Sequence, residues 1–201
     1  MAGRPRRRAR RGGFGDRDGP TPGSGADASP PPDPESVART ICLRLLTAAP
    51  RTRAQLADEL DRREVPADVS ERVLSRFTEV GLIDDAAFAQ AWVQSRHRGR
   101  GLARRALSAE LRRRGVDDDT ARDAVGQLDD DQEKTTARAL VDRRLGATRG
   151  LPPQTRVRRL AGMLARKGYP AGVAFSVVRE ALAEEGADPG EMPDPDIGEM
   201  T

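Results

Sequence analysis

Apolar residues recur along this chain every three to four positions, the spacing of one buried helix face. Ile41, Leu45 and Leu46 mark such a face and predict a helix at about 36–48. Thr52 followed by Gln55 is a capping-box pair, which starts a helix over 53–64. Pro66 suits the first turn of the next, at 67–80, with Val69, Val73, Leu74 and Phe77 turned inward and a stop near Gly81. Asp84 caps a helix reaching about Arg98, with Phe88, Trp92 and Val93 inside. Gly101 is expected to open a fifth helix, closed by Gly115. Asp117 caps a sixth, to about Leu128, and a long one follows over about 130–145. Pro152 and Pro153 introduce the eighth, ending at Gly168, and Pro170 starts the last, to about Glu184. No segment has the pattern of a strand, so the fold class is all-α.

The helices repeat. Leu56, Leu60, Val65, Val69 and Val73 recur 51 residues later as Leu107, Leu111, Val116, Thr120 and Ala124. A further shift of 53 gives Leu160, Leu164, Tyr169, Val173 and Val177. Arg63, Arg114 and Lys167 keep this register, and the turn position after them holds Glu64, Gly115 and Gly168. The expectation is three tandem three-helix units: 35–94 as the first plus the start of the next, 95–146 as the second, 147–185 as the third. Each unit would expose an apolar face unless its neighbour covered it.

Composition limits the alternatives. Of 201 residues 36% are hydrophobic and only 3% aromatic, enough for packed helices but thin for one deep core. Residues 1–34 hold almost no apolar side chains and are expected to be a disordered tail, its Arg4, Arg6, Arg7, Arg8, Arg10 and Arg11 being either a polyanion arm or simply solvated. Residues 186–201 form a second, acidic tail. The formal net charge is +3 and the middle of the chain is nearly balanced, so charge alone does not demand a nucleic-acid partner. No run of about 18 apolar residues exists to span a membrane, and no apolar segment follows the basic N-terminus as in a secretory signal. A cytoplasmic protein is expected.

Catalytic groups do not converge anywhere in the sequence. His97 is the only histidine and Cys42 the only cysteine, which leaves no zinc-ligand pattern and no His pair. Flanked by Arg96 and Arg98, His97 is expected on the solvated surface; Cys42, beside Ile41 and Leu43, is expected in the core. No phosphate-binding glycine loop is present. The acid clusters Asp84–Asp85, Asp117–Asp119 and Asp129–Asp131 each stand where a helix begins, and capping explains them better than a metal or an acid–base site. No cofactor, no metal and no enzymatic activity are expected.

The stretch from Arg96 to Arg114 stands apart. It carries Arg96, Arg98, Arg100, Arg104, Arg105, Arg112, Arg113 and Arg114, opposite a stripe of Leu102, Ala106, Leu107 and Leu111. Such a cluster can hold backbone phosphates or the acids of a protein partner, or be a solvated face laced by Glu110. Phe88 and Trp92, four residues apart, suit a helix core better than a base-stacking platform. A competing reading takes 53–64 and 67–80 as a helix-turn-helix, but the second helix is acidic early and has no Asn or Gln to read base edges.

Residues 81–115 also resemble the signature of the RecX family of recombination regulators. The elements that carry this are Gly81-Leu82-Ile83-Asp84-Asp85, Phe88-Ala89, Trp92-Val93, Arg96, Gly101, Leu107, Glu110-Leu111 and Arg114-Gly115-Val116. The three-unit repeat extends the likeness over about 36–185, leaving both tails outside it. The resemblance implies an elongated, curved array of three-helix repeats that lodges in the groove of the RecA nucleoprotein filament and lowers its activity; apart from the resemblance, a monomer is expected. It also implies that Asp84 and Asp85 are caps, that Phe88 and Trp92 are core, and that the arginines are the contacts. The Arg-rich N-terminal arm departs from the pattern and leaves weak direct DNA binding open.

Overall fold

A computed structural model describes residues 33–186. The predicted tails at 1–34 and 186–201 lie, apart from their innermost residues, outside the described part. Nine α-helices occupy it: α1 (Pro34–Ala48), α2 (Arg53–Asp61), α3 (Ala67–Glu79), α4 (Asp85–Arg100), α5 (Arg104–Arg112), α6 (Asp118–Gly126), α7 (Asp130–Leu145), α8 (Pro153–Arg166) and α9 (Ala171–Glu184). A 3₁₀ turn follows α7 at Gly146–Thr148. Among the described residues there is no strand. The helices pack as trios, α1–α3, α4–α6 and α7–α9, and each trio buries its own apolar cluster.

Local sequence explains the element ends. Asp33 accepts from the free N–H groups of Glu35 and Ser36, so α1 begins two residues before the apolar pattern does. The Thr52–Gln55 capping box forms in both directions, at 3.2 and 3.3 Å. Asp84 accepts from Ala87 at 2.8 Å and Asp117 from Thr120 at 2.9 Å.

The repeated sequence positions are the parts of one helix-ending device. In each trio the middle helix closes with a six-to-one bond from the residue after the turn to a leucine carbonyl: Val65 to Leu60, Val116 to Leu111 and Tyr169 to Leu164, at 3.1 to 3.2 Å. The turn residue donates inside this loop, Glu64 to Asp61, Gly115 to Arg112 and Gly168 to Ala165. This is the Schellman arrangement, and its usual apolar contact is the Leu–Val or Leu–Tyr pair that the repeat conserves through both shifts. The turn residue has to adopt a positive φ, which is 57° at Glu64, 77° at Gly115 and 89° at Gly168.

Gly101 and His97 depart from the sequence expectations. Gly101 does not open α5; it ends α4 with φ 61°, a left-handed conformation that no helix start can use, and α5 begins at Arg104. His97 is not on the surface. It is 6% exposed, on the same α4 face as Ala89 and Val93, with Nδ1 2.9 Å from the Leu102 carbonyl and Nε2 2.9 Å from the Thr136 hydroxyl. The helical rotation that points Arg98 outward points His97 in. Cys42 is fully buried, and burial pushes its thiol pKa up, away from the reactive thiolate.

Candidate partner-binding surface

Successive trios meet through the start of one middle helix and the end of the next. At the first joint the Thr52 hydroxyl donates to the Arg114 carbonyl at 2.6 Å, while the Arg53 N–H donates to the Asp85 carboxylate at 2.9 Å. At the second joint the Ala103 N–H donates to the Lys167 carbonyl at 2.9 Å, while the Arg104 N–H donates to Glu133 at 2.8 Å. Thr52 and Ala103 are repeat equivalents, as are Arg53 and Arg104. Each joint therefore ties a free helix N–H to a carboxylate of the following trio, and a C-terminal carbonyl to the preceding one. Glycine at the turn lets the two backbones close. A Cβ at Gly115 would lie 2.1 Å from the Ala54 side chain, and one at Gly168 would lie 2.6 Å from the Ala106 nitrogen. Among the described residues no trio precedes the first in this stacking, and its turn holds Glu64.

These joints divide the arginine cluster. Arg104 bridges to Asp130 and to the Leu128 carbonyl, so it serves the second joint. Arg112 pairs with Asp118 at 2.6 Å. The guanidinium carbons of Arg96 and Arg114 lie 4.0 and 3.5 Å from the centre of the Trp92 ring. Each such contact is worth about 0.5–1 kcal/mol at a partly exposed site. The Trp92 indole N–H donates to Glu110 at 2.9 Å, and Phe88 stacks on Trp92 with centroids 5.8 Å apart. Burial, and then the charge of Arg96, hold the Arg114 pKa below its ordinary value, while Glu110 opposes them. Arg98, Arg100, Arg105 and Arg113 are different: all four are exposed and form no ion pair among the described residues.

The residues singled out in the sequence thus separate into two groups. Gly81, Asp84, Phe88, Leu111 and Gly115 end helices or fill cores, and Trp92, Glu110, Arg96 and Arg114 form one packed cluster. Asp85, taken from the sequence as a cap of its own helix, caps α2 across the joint. Its pKa is raised, first by burial, against the pull of the Arg53 N–H. Glu133, 6% exposed, was not foreseen; its signal is the lone acid between Gln132 and Lys134 at the start of α7, one turn inside a helix already capped by Asp129.

The family models describing the first, second and third three-helix domains of RecX match residues 38–77, 84–125 and 130–178. This chain belongs to the RecX family. The Regulatory protein RecX of Thermobifida fusca (strain YX) is 63% identical over 182 residues, 90% of this chain and 96% of that one. The Streptomyces coelicolor protein of the same name is also 63% identical, over 171 residues, 85% of this chain and 91% of its own length. The crystal structure of RecX from Lactobacillus salivarius superposes with a TM-score of 0.70 at 19% identity, covering 74% of this chain and 96% of that one, which shows a shared fold. The three RecX domains coincide with the three helix trios, and RecX proteins are regulatory proteins by name. No helix among the described residues is long and apolar enough to cross a membrane.

Proposed function

We propose that this chain binds the filament that the RecA recombinase forms on DNA and lowers its activity in recombination and DNA repair, as a cytoplasmic monomer without catalysis of its own. The observation that carries this reading is family membership through all three domains, with 63% identity over 90% of the chain to a Regulatory protein RecX. Arg98, Arg100, Arg105 and Arg113 are the contacts, because the joints leave them exposed and unpaired among the described residues. Their partners are filament carboxylates or DNA phosphates, both of which take the guanidinium fork. Individually weak contacts add up when a repeat protein touches several subunits of one filament.

The competing helix-turn-helix reading finds little support in α3. Arg72 pairs with Asp68 and Arg76 with Glu79, while Glu71 is held by Arg53. A face whose cations are already neutralised offers little to phosphates.

The test is DNA-dependent ATP hydrolysis by the cognate RecA on single-stranded DNA, titrated with this protein. Inhibition below one protein per RecA subunit is expected, with Arg98→Ala/Arg100→Ala/Arg105→Ala/Arg113→Ala at least tenfold weaker and equally helical. No inhibition by folded wild-type protein would sink the proposal; undiminished inhibition by the quadruple variant would remove the arginines from it.

A further inference from the structure

The third trio carries a groove of about 700 Å³ along α7, the 3₁₀ turn and α8. Five cations line it, Arg143, Arg144, Arg159, Arg166 and Lys167, and no carboxylate does. The apolar lining comes from Leu140, Leu160 and Met163, the first two buried and the third half-buried.

Elsewhere in this trio three arginines are matched with acids, while Arg158 and Arg179 form no ion pair among the described residues but stand outside the groove. Arg138 is held by Asp142 and Glu184, and Arg149 and Arg156 both hold Glu185. Among the described residues none of the five groove cations has a carboxylate partner. Arg143 donates to the Ala139 carbonyl of its own helix at 3.0 Å, and Lys167 to the Arg100 carbonyl at 2.5 Å. Helix dipoles account for part of this, since Arg143, Arg144 and Arg166 stand in last turns. That term is worth about 0.3–1 kcal/mol per residue and needs no clustering. It says nothing of Arg159, in the middle of α8. Gathering five like charges around one concavity costs self-repulsion unless an anion fills it.

The anion has identifiable features. Arg159 and Arg166 are seven residues apart on one helix, about 10 Å along its axis, so the charges form a row rather than a point. A row suits a chain that carries one charge per repeating unit. Four of the five cations are arginines, whose planar fork grips phosphate oxygens in pairs. No aromatic side chain lines the groove, so it offers contacts to the backbone of such a chain rather than stacking platforms for its bases.

We propose that this groove is a binding site for the sugar–phosphate backbone of single-stranded nucleic acid. The site uses other side chains than the arginines at the end of α4 and along α5, meeting them only where Lys167 holds the Arg100 carbonyl, and it requires no protein partner.

Fluorescence anisotropy of a labelled oligo-dT, titrated with the full chain at several salt concentrations, tests it. Arg144→Ala/Arg159→Ala/Arg166→Ala is compared with Arg62→Ala/Arg72→Ala/Arg76→Ala, which removes the same charge from the first trio. All three proteins are checked for helicity by circular dichroism. The groove variant is expected to bind at least tenfold more weakly, with a log–log salt slope shallower by about 2, the value for three phosphate contacts on a single strand. The first-trio variant is expected to stay within twofold of wild type. Equal losses in both variants would reduce the effect to net charge and overturn the proposal, as would unchanged binding by the groove variant or no binding by wild type. RecA is absent from the assay, so a negative result here leaves filament inhibition standing, and the converse also holds.

Discussion

Replacing Gly115 with alanine tests the joint between the first two trios. At φ 77° an L-residue sits in the left-handed region, at a cost of about 1–2 kcal/mol. The added methyl would also lie 2.1 Å from the Ala54 Cβ, less than any real carbon pair allows, so the joint has to separate. Overpacking of this kind costs about 1–3 kcal/mol, giving roughly 2–5 kcal/mol in all. Gly81 separates the two terms. Its φ is 73°, yet nothing lies within 4 Å of a Cβ built there, so Gly81→Ala should lose only the conformational part. The assay is urea denaturation followed by far-UV circular dichroism and by the fluorescence of Trp92, the only tryptophan. Trp92 lies under Arg114, whose carbonyl is in the joint, so its emission should change before helix content falls if the joint opens first. Equal destabilisation by Gly115→Ala and Gly81→Ala would refute the reasoning, because the close contact would then carry no energy.

Two further substitutions probe the same architecture. Glu64→Gly should stabilise the chain by about 1 kcal/mol, since it relieves a non-glycine residue at φ 57° in a turn that faces no preceding trio among the described residues; an unchanged or lowered midpoint in thermal unfolding contradicts this. Glu185 is held below its ordinary pKa of 4.5 by the hydrogen bond from Arg156 and then that from Arg149, so the folded chain binds this proton less readily than the unfolded one. Its contribution is therefore complete above pH 4.5 and lost as pH falls through the folded value. The difference in Tm between wild type and Glu185→Gln should be widest near neutrality and close on acidification; a gap that persists at low pH would mean the ion pairs are not its source.

The helices and their repeat were legible because their causes are local. Period-3.6 apolar spacing, an acid or threonine at five helix starts and proline at three more, and the repeated leucine-based helix ending all act within a few residues. The joints were not legible, because Thr52 and Arg114 are 62 positions apart and either residue, read alone, has a sufficient local explanation. His97 shows how composition misleads where periodicity would have served. Its arginine neighbours suggested solvent, yet Ala89, Val93 and His97 are spaced by four and share a buried face. Gly101 was read as a start because a helix follows it; the sign of its φ makes it the end of the one before. The groove of the third trio escaped notice because its cations are split between two helices. Only the 53-residue shift, which brings Arg166 and Lys167 into register with Arg113 and Arg114, hinted at it.

The residues by which the sequence resembles the RecX family are, in the structure, largely the hardware of one joint. Asp85 caps α2, Arg114 gives its carbonyl to Thr52, Gly115 allows the approach to Ala54, and Trp92 with Glu110 and Arg96 packs beside them. A motif of this kind specifies how one three-helix unit is set against the next, and says little about what the array touches. The contact residues are then to be sought among those the joints do not use. Arg104, inside the cluster by sequence, is excluded by its bonds to Leu128 and Asp130. Removing it would disturb the second joint and weaken any function of the array without having met a partner. Arg98, Arg100, Arg105 and Arg113 carry no such ambiguity, since each can be truncated without breaking an internal ion pair among the described residues.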